Sequence, residues 1–64
     1  MTTFYCVMSK YDDKGHTWAK LTGTQTAKVM PSGSHRSTKT ADYWIDWFDS
    51  REEAEKFVQD TLNA

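Results

Sequence analysis

The sequence predicts an α+β fold: an antiparallel sheet of three to four strands, with one C-terminal amphipathic helix packed on one face. Three patterns support this fold class. Alternating side chains near both ends of the chain predict strands, a turn signal follows the first of them, and a capping signal precedes a helical stripe at the end. With 64 residues, the chain has room for one small domain, 1–64.

The first predicted strand spans residues 3–11. One face of it carries Phe4, Cys6 and Met8, and the other carries Tyr5, Val7 and Tyr11. Apolar groups on both faces are typical of a central strand that is covered on both sides. The next residues, 12–15, combine two aspartates with Gly15, a composition that predicts a hairpin turn.

The middle of the chain is more polar. A second strand is predicted over 16–29, with Gly23 marking a bulge or bend. Its polar run predicts either an edge strand or a strand whose outer face is wet. Because residues 30–41 show no periodic pattern of apolar side chains, we predict a mobile loop there. A short third strand over 36–40 is an alternative within that loop.

The end of the chain gives the clearest signals. A strand is predicted over 42–48 and a helix over 50–62. Ser50 and Glu53 form a capping box, and Asp49 with Glu52 is an alternative cap one residue earlier. The helical stripe consists of Ala54, Phe57, Val58 and Leu62.

One helix covers only one face of a sheet. The other face must therefore meet solvent, a second subunit or a ligand. We expect this uncovered face to carry some of four aromatic residues: Tyr5, Tyr11, Trp18 and Trp44. Nine aromatic residues in so short a chain are a large apolar load, so we expect a homodimer.

Charge is unevenly distributed. Residues 1–41 carry a net charge of +4, because they contain six Lys or Arg and two Asp. Residues 42–64 carry a net charge of −5, because they contain two Lys or Arg and seven Asp or Glu. Cys6 is the single cysteine, which suits a reducing compartment. Neither a signal-peptide pattern nor a membrane-length apolar run occurs, so we expect a cytoplasmic protein without membrane contact.

The sequence shows no residue pattern that is typical of a catalytic or metal site. Cys6 lies among apolar neighbours, and His16 and His35 lack metal-ligand spacing, so we interpret them as a core thiol and surface imidazoles. Asp12, Asp13 and Asp46 could together hold a hard cation, but adjacent aspartates before a glycine are more typical of turn chemistry. We therefore predict no enzyme, no catalytic or metal site and no cofactor.

Two kinds of binding surface remain. Single-stranded nucleic acid is bound by rings that stack on bases and cations that contact phosphates. The candidates for that role are Tyr5, Tyr11, Trp18, Lys10, Lys20, Lys28, Arg36 and Lys39. Against it, the isoelectric point is near 6.0, and the acidic end of the chain would repel a nucleic acid passing near it.

The other surface would face a protein. Its candidates are Trp44, Asp46, Glu52 and Glu55, since an exposed tryptophan beside acidic residues suits a basic partner. A solvated helix surface explains the acidic residues equally well.

The closing run from Asp42 to Glu55, DYWIDWFDSREEAE, after the N-terminal strand Phe4-Tyr5-Cys6-Val7-Met8, resembles small uncharacterised proteins encoded by prophages and integrative elements of Firmicutes. Some inhibitors of CRISPR nucleases come from such loci and have a similar plan. A related plan, a curved four-stranded sheet plus one C-terminal helix, occurs in dimeric single-stranded-DNA binders similar to transcriptional coactivator four. The resemblance implies a non-catalytic inhibitor or modulator of a host nucleic-acid-processing protein, with direct single-strand binding as the alternative.

Overall fold

The computed structural model describes residues 1–63 as four strands followed by one helix. The elements are β1 (Thr2–Asp12), β2 (Thr17–Ala27), β3 (Ser34–Ser37), β4 (Ala41–Phe48) and α1 (Arg51–Leu62). The strands form one antiparallel sheet in the order β2-β1-β4-β3, and α1 packs on the sheet. The predicted α+β class is therefore confirmed. Over residues 1–63, no helix has the length and apolar character required to cross a bilayer.

The β1–β2 hairpin closes through the side chain of Asp12. Its Oδ1 accepts hydrogen bonds from the backbone N–H groups of Lys14, at 3.0 Å, and His16, at 2.8 Å. Gly15 has a φ of 84°, the left-handed region in which a residue without Cβ is favoured. The predicted turn chemistry is thus the chemistry observed.

A bulge interrupts β2 at the predicted place. Cys6 of β1 pairs with Gly23, whereas the next residue, Val7, pairs with Leu21. Thr22 is therefore the extra residue, and its hydroxyl donates to the Cys6 carbonyl at 3.3 Å. The strand itself ends at Ala27 rather than at residue 29.

The loop predicted over 30–41 was wrong in one part, because Ser34–Ser37 forms the edge strand β3. All four of its residues are exposed, so the strand buries no apolar side chain that a sequence pattern could reveal. Backbone pairing with β4 defines it instead. Just before it, a Cβ added to Gly33 would lie 2.5 Å from the Ile45 carbonyl oxygen, so this position needs glycine's small size. The alternative strand over 36–40 overlaps β3 at residues 36–37 only.

Helix α1 begins at the predicted cap. The Ser50 hydroxyl accepts from the Glu53 N–H at 3.4 Å. Its buried stripe differs from the prediction at one position: Thr61 is 7% exposed, whereas Leu62 is 47% exposed. Thr61 is displaced about 20° around the helix from the fully buried Ala54, and Leu62 about 80°. Leu62 therefore lies at the margin of the contact with the sheet.

The core lies between α1 and one face of the sheet, which we call the helix face. Val7, Ala19 and Ala54 form its buried centre. Around them pack Tyr5, Leu21, Phe48, Phe57 and Val58. The Phe48 and Phe57 ring centroids are 5.3 Å apart. Because successive strand residues point to opposite faces, this core fixes which side chains lie on the other side of the sheet.

Gly15 and Gly23 provide a matched pair for testing the hairpin. Neither would place a Cβ within 4 Å of another group, but only Gly15 has a positive φ. We expect Gly15→Ala to lower the free energy of unfolding by roughly 1–2 kcal/mol through backbone strain. Gly23→Ala should change it by less than about 1 kcal/mol. Urea denaturation of both variants measures the difference, and equal effects would contradict the assigned turn.

Candidate ligand-binding face

The sheet face opposite α1, which we call the open face, carries a row of alternating rings and cations. Trp18 of β2 pairs with Lys10 of β1, and Lys10 pairs in turn with Tyr43 of β4. Arg36 of β3 pairs with Tyr43 and completes the row. Directly paired residues of antiparallel strands share a face, and neighbouring strands are about 4.8 Å apart. The four side chains therefore cross the full width of the sheet.

The next row on the open face is apolar in its two central strands. Met8 pairs with Lys20 on one side and with Ile45 on the other, and Ile45 pairs with Ser34. Beyond it, Cys6 pairs with Trp47 and is buried. The open face thus has an apolar floor, formed by Met8, Ile45 and Cys6, beside the row of rings and cations.

Two shallow hollows lie on this floor, on either side of Tyr43. The first, of about 360 Å³, is bounded by Trp18 and Tyr43, with Met8 and Lys10 between them and Asp12 and His16 at its end. The second, of about 320 Å³, is lined by Met8, Ser34, Arg36, Tyr43 and Ile45. Each hollow therefore joins an aromatic ring to at least one cation. Flat, anionic ligands fit such surroundings.

Two of the cations already contact rings. The Lys10 ammonium lies 5.7 Å from the centroid of Tyr43, and that of Lys20 lies 5.7 Å from the centroid of Trp18. At an exposed site such a contact is worth about 0.5–1 kcal/mol. A planar group that stacks more strongly can displace the ammonium, and the flexible lysine stem can then carry it to an adjacent anion.

The charges of the molecule are divided between its two sides. Lys10, Lys20 and Arg36 lie on the open face. Asp46 and Asp42 point to the helix face, as their pairing with Val7 and Tyr11 shows. The acidic residues of α1 (Glu52, Glu53, Glu55 and Asp60) lie on the helix side as well. The sequence predicted a basic part and an acidic part along the chain. In the fold, most of the carboxylates lie on the helix side, whereas the open face carries Lys10, Lys20 and Arg36 together with Asp12.

The predicted nucleic-acid contacts separate into three groups. Trp18, Lys10, Lys20 and Arg36 come together on the open face. Tyr5 packs against the core, and Tyr11 lies on the helix face with 41% of its surface exposed. Lys28 follows β2 at one end of the sheet, and Lys39 lies in the β3–β4 turn at the other. Of the four aromatics considered for the uncovered face, only Trp18 is on it.

Sequence patterns missed Tyr43, Ile45 and Trp47 as open-face residues. The strand β4 has aromatic residues on both faces, so its own alternation does not say which set faces α1. A signal was present in Phe48, which lies two residues before the Ser50 cap of α1 and shares a face with Trp44 and Asp46. A ring so close to the helix has to pack beneath it, and this assigns Tyr43, Ile45 and Trp47 to the other side.

A separate aromatic cluster lies on the helix face beyond α1. The Trp44 ring meets Tyr11 edge-on, with centroids 5.1 Å apart, and stacks on His35 at 4.7 Å. The His35 Nε2 is 3.6 Å from the Asp42 Oδ1. His35 is half exposed, as predicted for a surface imidazole. This cluster joins β3 to the central strands.

The predicted protein contacts all lie on this acidic side. Trp44 and Asp46 are half-buried on β4, and Glu52 and Glu55 are exposed on α1. Glu55 pairs with Arg51 at 3.1 Å, and both side chains are more than half exposed. Such a pair contributes little to stability, so Glu55 can exchange Arg51 for a partner's cation.

The carboxylates weighed as a cation site do not converge. Asp12 shares the open face with Lys10, whereas Asp46 points to the helix face. Asp12 is also engaged by the hairpin: two backbone N–H groups donate to it, and the His16 Nδ1 is 3.2 Å from its Oδ2. The hydrogen bond from the His16 N–H is the main reason that the pKa of Asp12 lies below its usual value.

Comparison with family models, curated proteins and solved structures finds no match to this chain.

The lowered pKa of Asp12 predicts an acid-dependent loss of stability. As pH falls, the unfolded chain binds the proton first, so the stabilisation is complete above about pH 4 and disappears as pH falls through the lowered pKa. Asp12→Asn should flatten the stability curve in that window. Asp13→Asn is the control, because Asp13 contacts the β3–β4 turn through its backbone N–H. Denaturant unfolding at a series of pH values measures both, and an unchanged curve for Asp12→Asn would contradict the assignment.

Proposed function

We propose that this chain is a non-catalytic binding module that holds single-stranded nucleic acid on the open face of its sheet. The observation that supports this most directly is the row Trp18, Lys10, Tyr43 and Arg36, in which ring and cation alternate across four strands. Rings of this kind stack on bases of any sequence, and the neighbouring cations contact phosphates.

Nucleic acid has to approach the basic side without strong repulsion from the acidic one. The molecule is 12 Å across its thinnest dimension, close to the Debye length of about 10 Å at 0.1 M salt. At this ionic strength, salt therefore weakens the field that the exposed helix-side carboxylates exert through solvent at the open face. The acidic end should therefore repel a nucleic acid on the open face less strongly than the sequence alone predicted.

Three further parts of the proposal come from the sequence. We propose that the module acts in the cytoplasm, as suits its lone thiol, and that it works as a homodimer. We also propose that a phage or mobile element encodes it, as its resemblance to prophage proteins implies.

Binding of a fluorescent single-stranded oligonucleotide, followed by anisotropy at low salt, tests the role of the rings. Trp18→Ala and Tyr43→Ala should each weaken binding by roughly 5- to 150-fold, because each stacked base contributes about 1–3 kcal/mol. Tyr11→Ala is the matched control: an exposed ring is removed from the opposite face, and affinity should stay unchanged. Absence of binding at low salt, or equal losses in all three variants, would refute the proposal.

A salt titration tests the role of the cations. Replacing Lys10, Lys20 and Arg36 with Gln should reduce the slope of log affinity against log salt by about 2, at about 0.7 per phosphate contact. Lys56→Gln, on the exposed surface of α1, should leave the slope unchanged. A slope that is the same in the triple variant and the parent would show that these cations do not contact phosphates.

The second candidate is an inhibitor or modulator of a host nucleic-acid-processing protein such as a CRISPR nuclease. The observation that favours it is the acidic helix side, where Trp44, Asp46, Glu52 and Glu55 could engage a basic groove. In a cleavage assay with a CRISPR nuclease, Glu52→Lys with Glu55→Lys should abolish inhibition, and Lys20→Glu on the open face should not. Inhibition that survives the helix-side changes would exclude this surface.

A further inference from the structure

The two edges of the sheet differ in how well they are protected. Strand β3 has four residues, too few to offer a long pairing template, whereas β2 has eleven. Within residues 1–63, no strand pairs with the outer side of β2. The bulge at Thr22 interrupts the regular geometry of β2. Thr17–Leu21 is therefore the regular segment on the side of the bulge that adjoins α1.

An apolar groove runs beside this edge. A hollow of about 330 Å³ lies between β2 and α1, lined by Lys20, Leu21, Glu55, Val58 and Gln59. Leu62 follows Val58 by one helical turn and is 47% exposed. The uncovered part of the apolar stripe of α1 therefore lies on the β2 side of the helix.

We infer that a second copy of this chain binds here, with the Thr17–Leu21 segments of the two copies paired antiparallel and the Val58–Leu62 flanks in contact. The inference rests on the dimer of the proposed function and names its surface. Pairing across a two-fold axis perpendicular to the sheet gives one continuous sheet of eight strands. Both helices then lie on one side and both open faces on the other.

The side chains of the edge favour a second copy over an unrelated strand. When Ala19 faces Ala19 of the second copy, Trp18 faces Lys20 and Thr17 faces Leu21. Trp18 and Lys20 share the open face, so each tryptophan receives a cation, and no lysine is placed opposite another.

The arrangement has a consequence for ligand binding. The two Trp18 side chains lie near the dyad, and the two rows of rings and cations become neighbours on one surface. One strand of nucleic acid could then contact both copies, which raises the apparent affinity without any new kind of contact.

Sedimentation velocity across micromolar concentrations tests the interface. The parent should show a concentration-dependent dimer, and Leu62→Lys should raise its dissociation constant by about tenfold or more. Val29→Lys is the matched control, since Val29 is an apolar residue that is 77% exposed outside the strands and α1. Circular dichroism establishes that both variants are folded.

Hydrogen exchange adds a local readout. Outward-pointing amides of Thr17–Leu21 should gain protection as protein concentration rises, and those of Ser34–Ser37 should not. A parent that stays monomeric refutes both the dimer and its surface. A dimer that Leu62→Lys leaves intact, or that protects β3 instead, refutes the surface alone. Oligonucleotide binding by Leu62→Lys, measured separately, shows whether the open face works independently of the dimer.

Discussion

A sheet with apolar residues on both faces, and one helix to cover them, is the constraint on which the rest of this structure depends. Helix α1 buries the face of Val7, Ala19 and Phe48, and the small Ala54 lets it approach closely. No second helix in residues 1–63 covers the opposite face, on which Phe4 and Cys6 are nonetheless buried. Met8, Ile45 and the Trp18 and Tyr43 rings therefore remain at the surface, where they are available to a ligand.

The same constraint separates the charges. The carboxylates of β4 that alternate with its open-face residues have to share the helix face, and α1 adds its own acidic residues there. Lys10 and Lys20 alternate with core residues of β1 and β2, so they point away from α1. A chain with a net charge of only −1 thus has a sheet face on which cations predominate and a helix side on which carboxylates predominate. Overall isoelectric point is a poor guide to the ligands of such a molecule.

Local signals predicted much of the fold. The Asp12 turn, the bulge near Gly23, the Ser50 cap and the strands that carry two apolar faces were all evident, because each depends on residues close in sequence. Strand β3 was not, since its exposed side chains carry no pattern and its pairing with β4 is a long-range backbone interaction. Leu62 was predicted in the buried stripe of α1, but it lies about 80° around the helix from Ala54, at the margin of the contact with the sheet.

The candidate site was harder to predict than the fold. Trp18, Lys10, Lys20 and Arg36 were among the proposed contacts, but Tyr43 was not. Its place between Lys10 and Arg36 depends on the register of β1, β4 and β3. A shift of one residue would exchange Tyr43 for Trp44 and move the ring to the other face. The packing of Phe48 against Phe57 of α1 is consistent with that register, and the closeness of Phe48 to the cap of α1 was the sequence signal for it.

The three tryptophans offer the most direct test of the claim that the open face is the binding surface. Trp18 and Trp47 lie on the open face, and Trp44 lies on the helix face between Tyr11 and His35. Their indole N–H signals can be followed by NMR during titration with a single-stranded oligonucleotide. We expect the Trp18 signal to shift most, the Trp47 signal to shift less and the Trp44 signal to stay in place. A shift of Trp44 with Trp18 unchanged would contradict binding at the open face.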